Sequence, residues 1–200
     1  AGFWGCAVVA ASLQPGYDAG VDYLSALAAV GARQPAWGLA MFACGAVALG
    51  AAAAMLLSRG FRTAPALQGM AAVAVVLAGA ARVDCPDGAA GCAAGPAGLS
   101  GGLASQVHSA AVLTSQLLLS AALLALAWQG RQTCSRTCVG LAGAGAVLTA
   151  VLSVNPLPLE PGWSQRLWVA SGHAVLLAVW GACRPTLGIG SGPPSVHRRG

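Results

Sequence analysis

Side chains able to carry chemistry are few in this chain, and they are sorted. Its five carboxylates, Asp18, Asp22, Asp84, Asp87 and Glu160, fall in alternate gaps between long apolar runs, while the other gaps and the tail hold mostly arginine. The acidic gaps also carry or adjoin Ser25, Arg82, His108, Gln165 and Arg166. Arg82 and Arg166 offer planar pairs of N–H donors that match a phosphate. Asp84 and His108 could exchange a proton. Asp18, Asp22, Ser25 and Gln165 complete a candidate ligand-binding set around them. A competing reading is structural, with carboxylates and arginines closing loops over helix ends as ion pairs, Arg82 with Asp84 first among them. Ser25, His108 and Asp84 are the residue types of a hydrolytic triad, but no nucleophile-elbow sequence accompanies them.

Helical spacing says where two of these groups point. His108 lies one turn inside an apolar run that begins near Ser105, and Ser115 follows seven residues later on the same face. Arg166 and His173 repeat that spacing. Facing lipid would be costly for either pair, so both faces are expected to turn inward. His173 falls near the middle of its run, where one hydrogen bond to a neighbouring carbonyl would make it a structural residue.

The elements that must hold these residues are membrane helices. Hydrophobic residues make up 57% of the 200 and charged ones only 8%, with a mean hydropathy of +0.73. Soluble proteins carry about 25% charged residues. Apolar spans are expected at about 35–57, 64–81, 105–128, 137–154 and 163–183, after a first stretch over 1–13. The fold class is therefore all-α, a six-span transmembrane helical bundle forming one domain over 1–184. The first stretch would reach only about 20 Å as a helix, and the chain lacks an initiator Met, so further N-terminal sequence is expected before it. Between the first two spans, Val21, Leu24, Leu27 and Ala28 repeat at helical spacing and predict a short interfacial helix. Tyr17 and Tyr23 suit the headgroup level there, as Trp37, Trp128, Trp163 and Trp168 do elsewhere.

Charge gives the orientation. Arg59, Arg62, Arg131, Arg136, Arg184, Arg198 and Arg199 lie on one side, against Arg33, Arg82 and Arg166 on the other. The arginine-rich side is cytoplasmic. Both termini are then cytoplasmic in a multi-pass plasma-membrane protein, and the acidic loops face outward. The segment 185–200, rich in Gly, Pro and Ser, reads as a disordered cytoplasmic tail able to touch anionic lipid. The net charge of +5 does not point to nucleic acid, because no basic run is long enough to track phosphates. Cys85 and Cys92 sit in an outward loop and are expected to form a disulfide. Cys134 and Cys138 have no nearby His and give little sign of a metal site, and Cys6, Cys44 and Cys183 read as small apolar fillers. No cofactor is indicated.

The stretch Gly16-Tyr17-Asp18 to Asp22, followed by Ser25-Ala26-Leu27, resembles the first motif of a bacterial and archaeal membrane family catalogued as domain of unknown function 998. Asp84 after the third span, His108 near the start of the fourth and Gln165-Arg166 opening the sixth agree with it in order and placement. The resemblance implies a six-helix integral membrane protein without an assigned activity, with a shared site at Asp18, Asp22, Ser25, Asp84, His108, Gln165 and Arg166. The chain departs from the family pattern in having Ala19 where a proline is common and Val21 where an arginine is common.

Two functional readings stay open. In the first, an outward polar pocket binds or processes an anionic, lipid-like amphiphile. In the second, the chain is a non-catalytic subunit with a membrane-protein partner. Transport would call for inverted repeats or interrupted spans, and no internal repeat is apparent.

Overall fold

The computed structural model describes residues 1–84, 102–131, 134–153 and 159–182. Six α-helices account for most of them: α1 (Gly2–Leu13), α2 (Pro35–Ser58), α3 (Thr63–Ala80), α4 (Leu103–Gln129), α5 (Arg136–Ser153) and α6 (Pro161–Ala182). A short 3-10 helix, Leu24–Ala28, lies between α1 and α2. The described residues contain no strand.

Local sequence sets the helix ends. Pro35 occupies the first turn of α2, where its missing N–H would have had no intrahelical partner. The same helix stops at Gly60, whose φ of 86° is open to glycine at little cost. Gly60 N–H then binds the carbonyl of Leu57 and Phe61 N–H that of Leu56, closing the last turn back on itself. Phe61 and Leu56 pack in one cluster with Leu126, Cys138 and Val179. The turn between α2 and α3 is thereby fixed to the core of the arginine-bearing end.

Each helix packs against the next in chain order, from α1 to α6. Small residues make this close approach feasible: Gly79 faces the Phe42 ring, and Gly145 faces Val175. Between α4 and α5, the buried hydroxyls of Ser120 and Thr149 lie 2.9 Å apart. By contrast, α6 makes no extensive helix-to-helix packing with α1 or α2 among the described residues. The ring of helices has an open seam there, and the 3-10 helix bridges one end of it.

Three helices, α2, α3 and α4, are long and apolar enough to cross a bilayer. The expected boundaries of 35–57, 64–81 and 105–128 fall within two residues of those observed. At 12 residues, α1 reaches about 18 Å.

The segment expected as an interfacial helix takes a different form. Leu24, Ser25, Ala26, Leu27 and Ala28 are all buried, so it is an internal 3-10 turn rather than an amphipathic helix at the surface. Val21, expected on its apolar face, is half exposed. The reason lies in α2. A side chain at Gly38 would overlap the backbone of Leu27 and Ala28, so this glycine admits the turn against the helix. Cys85 and Cys92 lie outside the described residues, and the disulfide expected between them has no support from the described geometry. Asp87 and the 185–200 tail lie outside them as well.

Candidate functional site

The 3-10 end of the bundle brings most of the candidate residues together through main-chain partners. Arg166, in the first turns of α6, donates to the carbonyl of Asp22 at 2.8 Å, to that of Gly162 at 2.9 Å and to the hydroxyl of Tyr17. Tyr17 in turn donates to the carbonyl of Tyr23 at 3.4 Å. Next to Arg166, Gln165 accepts from the N–H of Leu24 at 2.5 Å. Gly162 makes this possible, since a Cβ there would fall 2.6 Å from the carbonyl of Gly20 and 2.7 Å from those of Ala19 and Asp22. The loop before the 3-10 helix is thus wrapped onto the N-terminus of α6. Within that loop the Asp22 carboxylate accepts the Asp18 N–H at 2.7 Å, and the Asp18 carboxylate accepts the Gly20 N–H at 2.7 Å. Asp22 is 4% exposed.

On the other side of the 3-10 helix, Arg82 donates to the carbonyls of Ala28 at 2.7 Å and Ala29 at 2.6 Å. The Val30 N–H binds the Val83 carbonyl at 2.9 Å beside them. Asp84 takes a separate role. Its carboxylate accepts from Gly102 N–H at 2.7 Å and from the Ser105 hydroxyl at 3.0 Å, at the N-terminus of α4. A carboxylate there also complements the helix dipole. Arg82 and Asp84 therefore anchor different elements and do not form the ion pair expected from their spacing.

His108 is 5% exposed and packs edge-on against Phe42, with ring centroids 5.7 Å apart. Its Nδ1 lies 2.7 Å from the Ala78 carbonyl and 3.1 Å from that of Ala81. Both partners can only accept, so Nδ1 carries a hydrogen. In the neutral ring Nε2 then keeps its lone pair. The structure does not bring Asp84 into hydrogen-bond contact with His108, so direct proton exchange between them is not set up.

Beneath this capped end lies a cavity of about 110 Å³. Ser25 and Gln165 meet it at the 3-10 helix, and His108 and Ser115 from α4. One face of α6 supplies much of its wall, with Gln165, Trp168, Val169, Gly172, His173 and Leu176 at helical spacing. The remaining lining is mostly apolar, including Met41, Phe42 and Leu119. Two buried nitrogens on that α6 face, Trp168 Nε1 and His173 Nδ1, have no hydrogen-bond partner. The carbonyl bond expected to make His173 structural is not made by Nδ1. His173 instead meets the rings of Phe3 and Trp4, with centroids 5.2 and 6.3 Å away.

A family model, that of a protein of unknown function (DUF998), matches residues 1–182. The chain belongs to the DUF998 family. No match was found among the curated proteins or the solved structures. In this DUF998 protein, Ser25, His108 and Gln165 reach the cavity, while Arg82, Arg166, Asp18, Asp22 and Asp84 hold the loops and helix ends around it. Trp168, expected as an interfacial anchor, and His173, expected as structural, both line the cavity. The spacing of α6 from Gln165 to Leu176 held the signal that could have found them. Among the described residues no three His, Cys, Asp or Glu side chains gather as a metal site would need.

Proposed function

We propose that this DUF998 protein is a six-span plasma-membrane protein with cytoplasmic termini, whose outward-facing cavity binds or processes a lipid-like ligand. The observation that carries this reading is the cavity itself, an apolar chamber with Ser25, His108 and Gln165 at its capped end. Pockets of this make-up, mostly apolar with a few placed polar groups, are what small amphiphiles occupy. Three helices already have the length and hydropathy to span. In this reading α1, α5 and α6 complete the bundle, and the arginine-poor end faces out.

Recognition of an anionic head draws less support. An anion would have to compete with Ala28, Ala29, Asp22 and Tyr17 for the guanidinium donors of Arg82 and Arg166. In our reading these arginines position the cap over the cavity, and His108 Nε2 is the group available to accept a proton from a ligand. The experiment is to purify the protein from native membrane and identify co-purifying lipid by mass spectrometry. Val112→Trp, which fills the cavity from α4, is expected to lose a bound lipid that the native chain retains. Equal retention by a folded Val112→Trp protein would remove the cavity reading.

A further inference from the structure

The cavity and the membrane-facing surface share a wall. Along the open seam, a groove of about 710 Å³ runs between α1, α2 and α6, lined by residues such as Trp4, Val47, Ala48, Ala170 and Leu177. Phe3, Leu49, His173 and Leu176 line both this groove and the inner cavity. They are the partition between the two spaces. The partition consists of side chains, because α6 is not packed extensively on α1 or α2.

Size then limits what the cavity can hold. A cavity of about 150 Å³ takes a benzene ring, so about 110 Å³ takes a compact head group or a few methylenes, not a whole lipid. A longer molecule has to extend through the seam into the groove. Chemistry limits the head. Trp168 Nε1 is a donor only, it is buried and it has no partner. His173 Nδ1, also buried and unpartnered, stands on the same face of α6 at the partition. The nearby Ser25 and Gln165 are uncharged, and the arginines of the cap are bound to loop carbonyls. A buried N–H with no acceptor is costly, and an uncharged oxygen satisfies it without bringing an unpaired charge into the bundle.

We infer that the α1–α2–α6 seam is a lateral portal and that Trp168 and His173 form a binding station for the compact, uncharged, oxygen-bearing head of a long-chain membrane lipid, whose tail lies in the outer groove. The ligand enters from the bilayer rather than from water. This rests on the cavity reading above and specifies both the head chemistry and the route.

The test uses the full chain reconstituted in phosphatidylcholine vesicles with two photoreactive probes of identical tail, whose diazirine sits on the acyl carbons next to the head. One is a monoacylglycerol and the other its lysophosphatidic acid counterpart, which differ in the phosphate alone. Cross-linked residues are mapped by mass spectrometry. The expected result is monoacylglycerol labelling at Phe3, Leu49 and along α6 from Trp168 to Leu176. Labelling there should fall about thirtyfold in the Trp168→Phe, His173→Leu double variant, the loss expected for two ordinary hydrogen bonds. Leu49→Trp, which crowds the partition while leaving Trp168 and His173 in place, should slow labelling of the inner residues and spare the outer groove. Unchanged labelling in the double variant would overturn the head station while leaving the cavity as a lipid site. Equal or stronger labelling by the phosphate probe would overturn the uncharged head. Labelling of neither cavity nor seam by either probe would remove the cavity reading along with this one.

Discussion

Arg166 and Arg82 look alike in the sequence as candidate anion binders, and in the structure they look alike as clamps on main-chain oxygen. A hydrogen bond to a charged donor contributes about 1.5–3 kcal/mol. Arg82→Gln is therefore expected to lower stability by about 2 kcal/mol or more, read as a drop in the thermal unfolding midpoint in detergent. The same change at exposed Arg62 should be close to neutral. For Arg166→Gln the sharper readout is local. Amide hydrogen exchange across residues 17–24 should accelerate at least about tenfold while α3 and α4 keep their protection; an even rise everywhere would mean that Arg166 supports the whole fold instead. His108→Phe keeps the ring packed on Phe42 and removes the donor to the Ala78 and Ala81 carbonyls, at an expected cost of about 1–3 kcal/mol. Sequence reveals side-chain types but not which carbonyls a fold will leave without partners. Arg82 and Asp84 therefore resemble an ion pair by sequence, whereas in the fold each satisfies backbone groups.

Among the elements, helices were the legible part, and their close contacts were not. The 24 residues of α2 announce themselves through Pro35, an unbroken apolar run and the glycine after its end. The 3-10 helix misled because Leu24, Leu27 and Ala28 are apolar at helical spacing for a different reason, burial on all sides of a short turn. Gly38 decided that outcome, and among 28 glycines nothing in the sequence marks it out. The two can be separated by experiment. Gly38→Ala should cost about 1–3 kcal/mol by forcing Leu27 off α2. Gly50→Ala, in the same helix with open space around its position, should be neutral or slightly stabilising. If thermal unfolding places both variants together, the 3-10 turn does not rest on Gly38. α6 is the converse case. Its cavity-facing residues from Gln165 to Leu176 follow a pattern visible in the sequence, but which side faced a cavity depended on the seam, a property of three helices at once.

For the whole molecule, the six-span reading predicts which loops share a side of the membrane. Ala19 and Ser58 are exposed at opposite ends of the bundle. Cysteines introduced there, in a background with Cys6, Cys44 and the other native cysteines replaced, should react with a membrane-impermeant maleimide from opposite faces. In intact cells Ala19→Cys should label and Ser58→Cys should not, until the membrane is opened. Labelling of both in intact cells would contradict the span count, the orientation, or both.

The bonds that fasten the loop before the 3-10 helix to α6 come from far along the chain. Tyr17, Asp22 and Leu24 are held by Gln165 and Arg166, partners 141 to 149 positions later. A ribosome has made most of the protein before those partners emerge, so residues 17–24 must wait without them while five helices are made, even though Arg82 can already hold Ala28 and Ala29. During that interval the Leu24 N–H and the Asp22 carbonyl lack their native partners and stay open to chaperones and membrane proteases. Maturation of the cap is thus coupled to arrival of the last helix, and a chain stalled after α5 would present cellular quality control with an unclosed end.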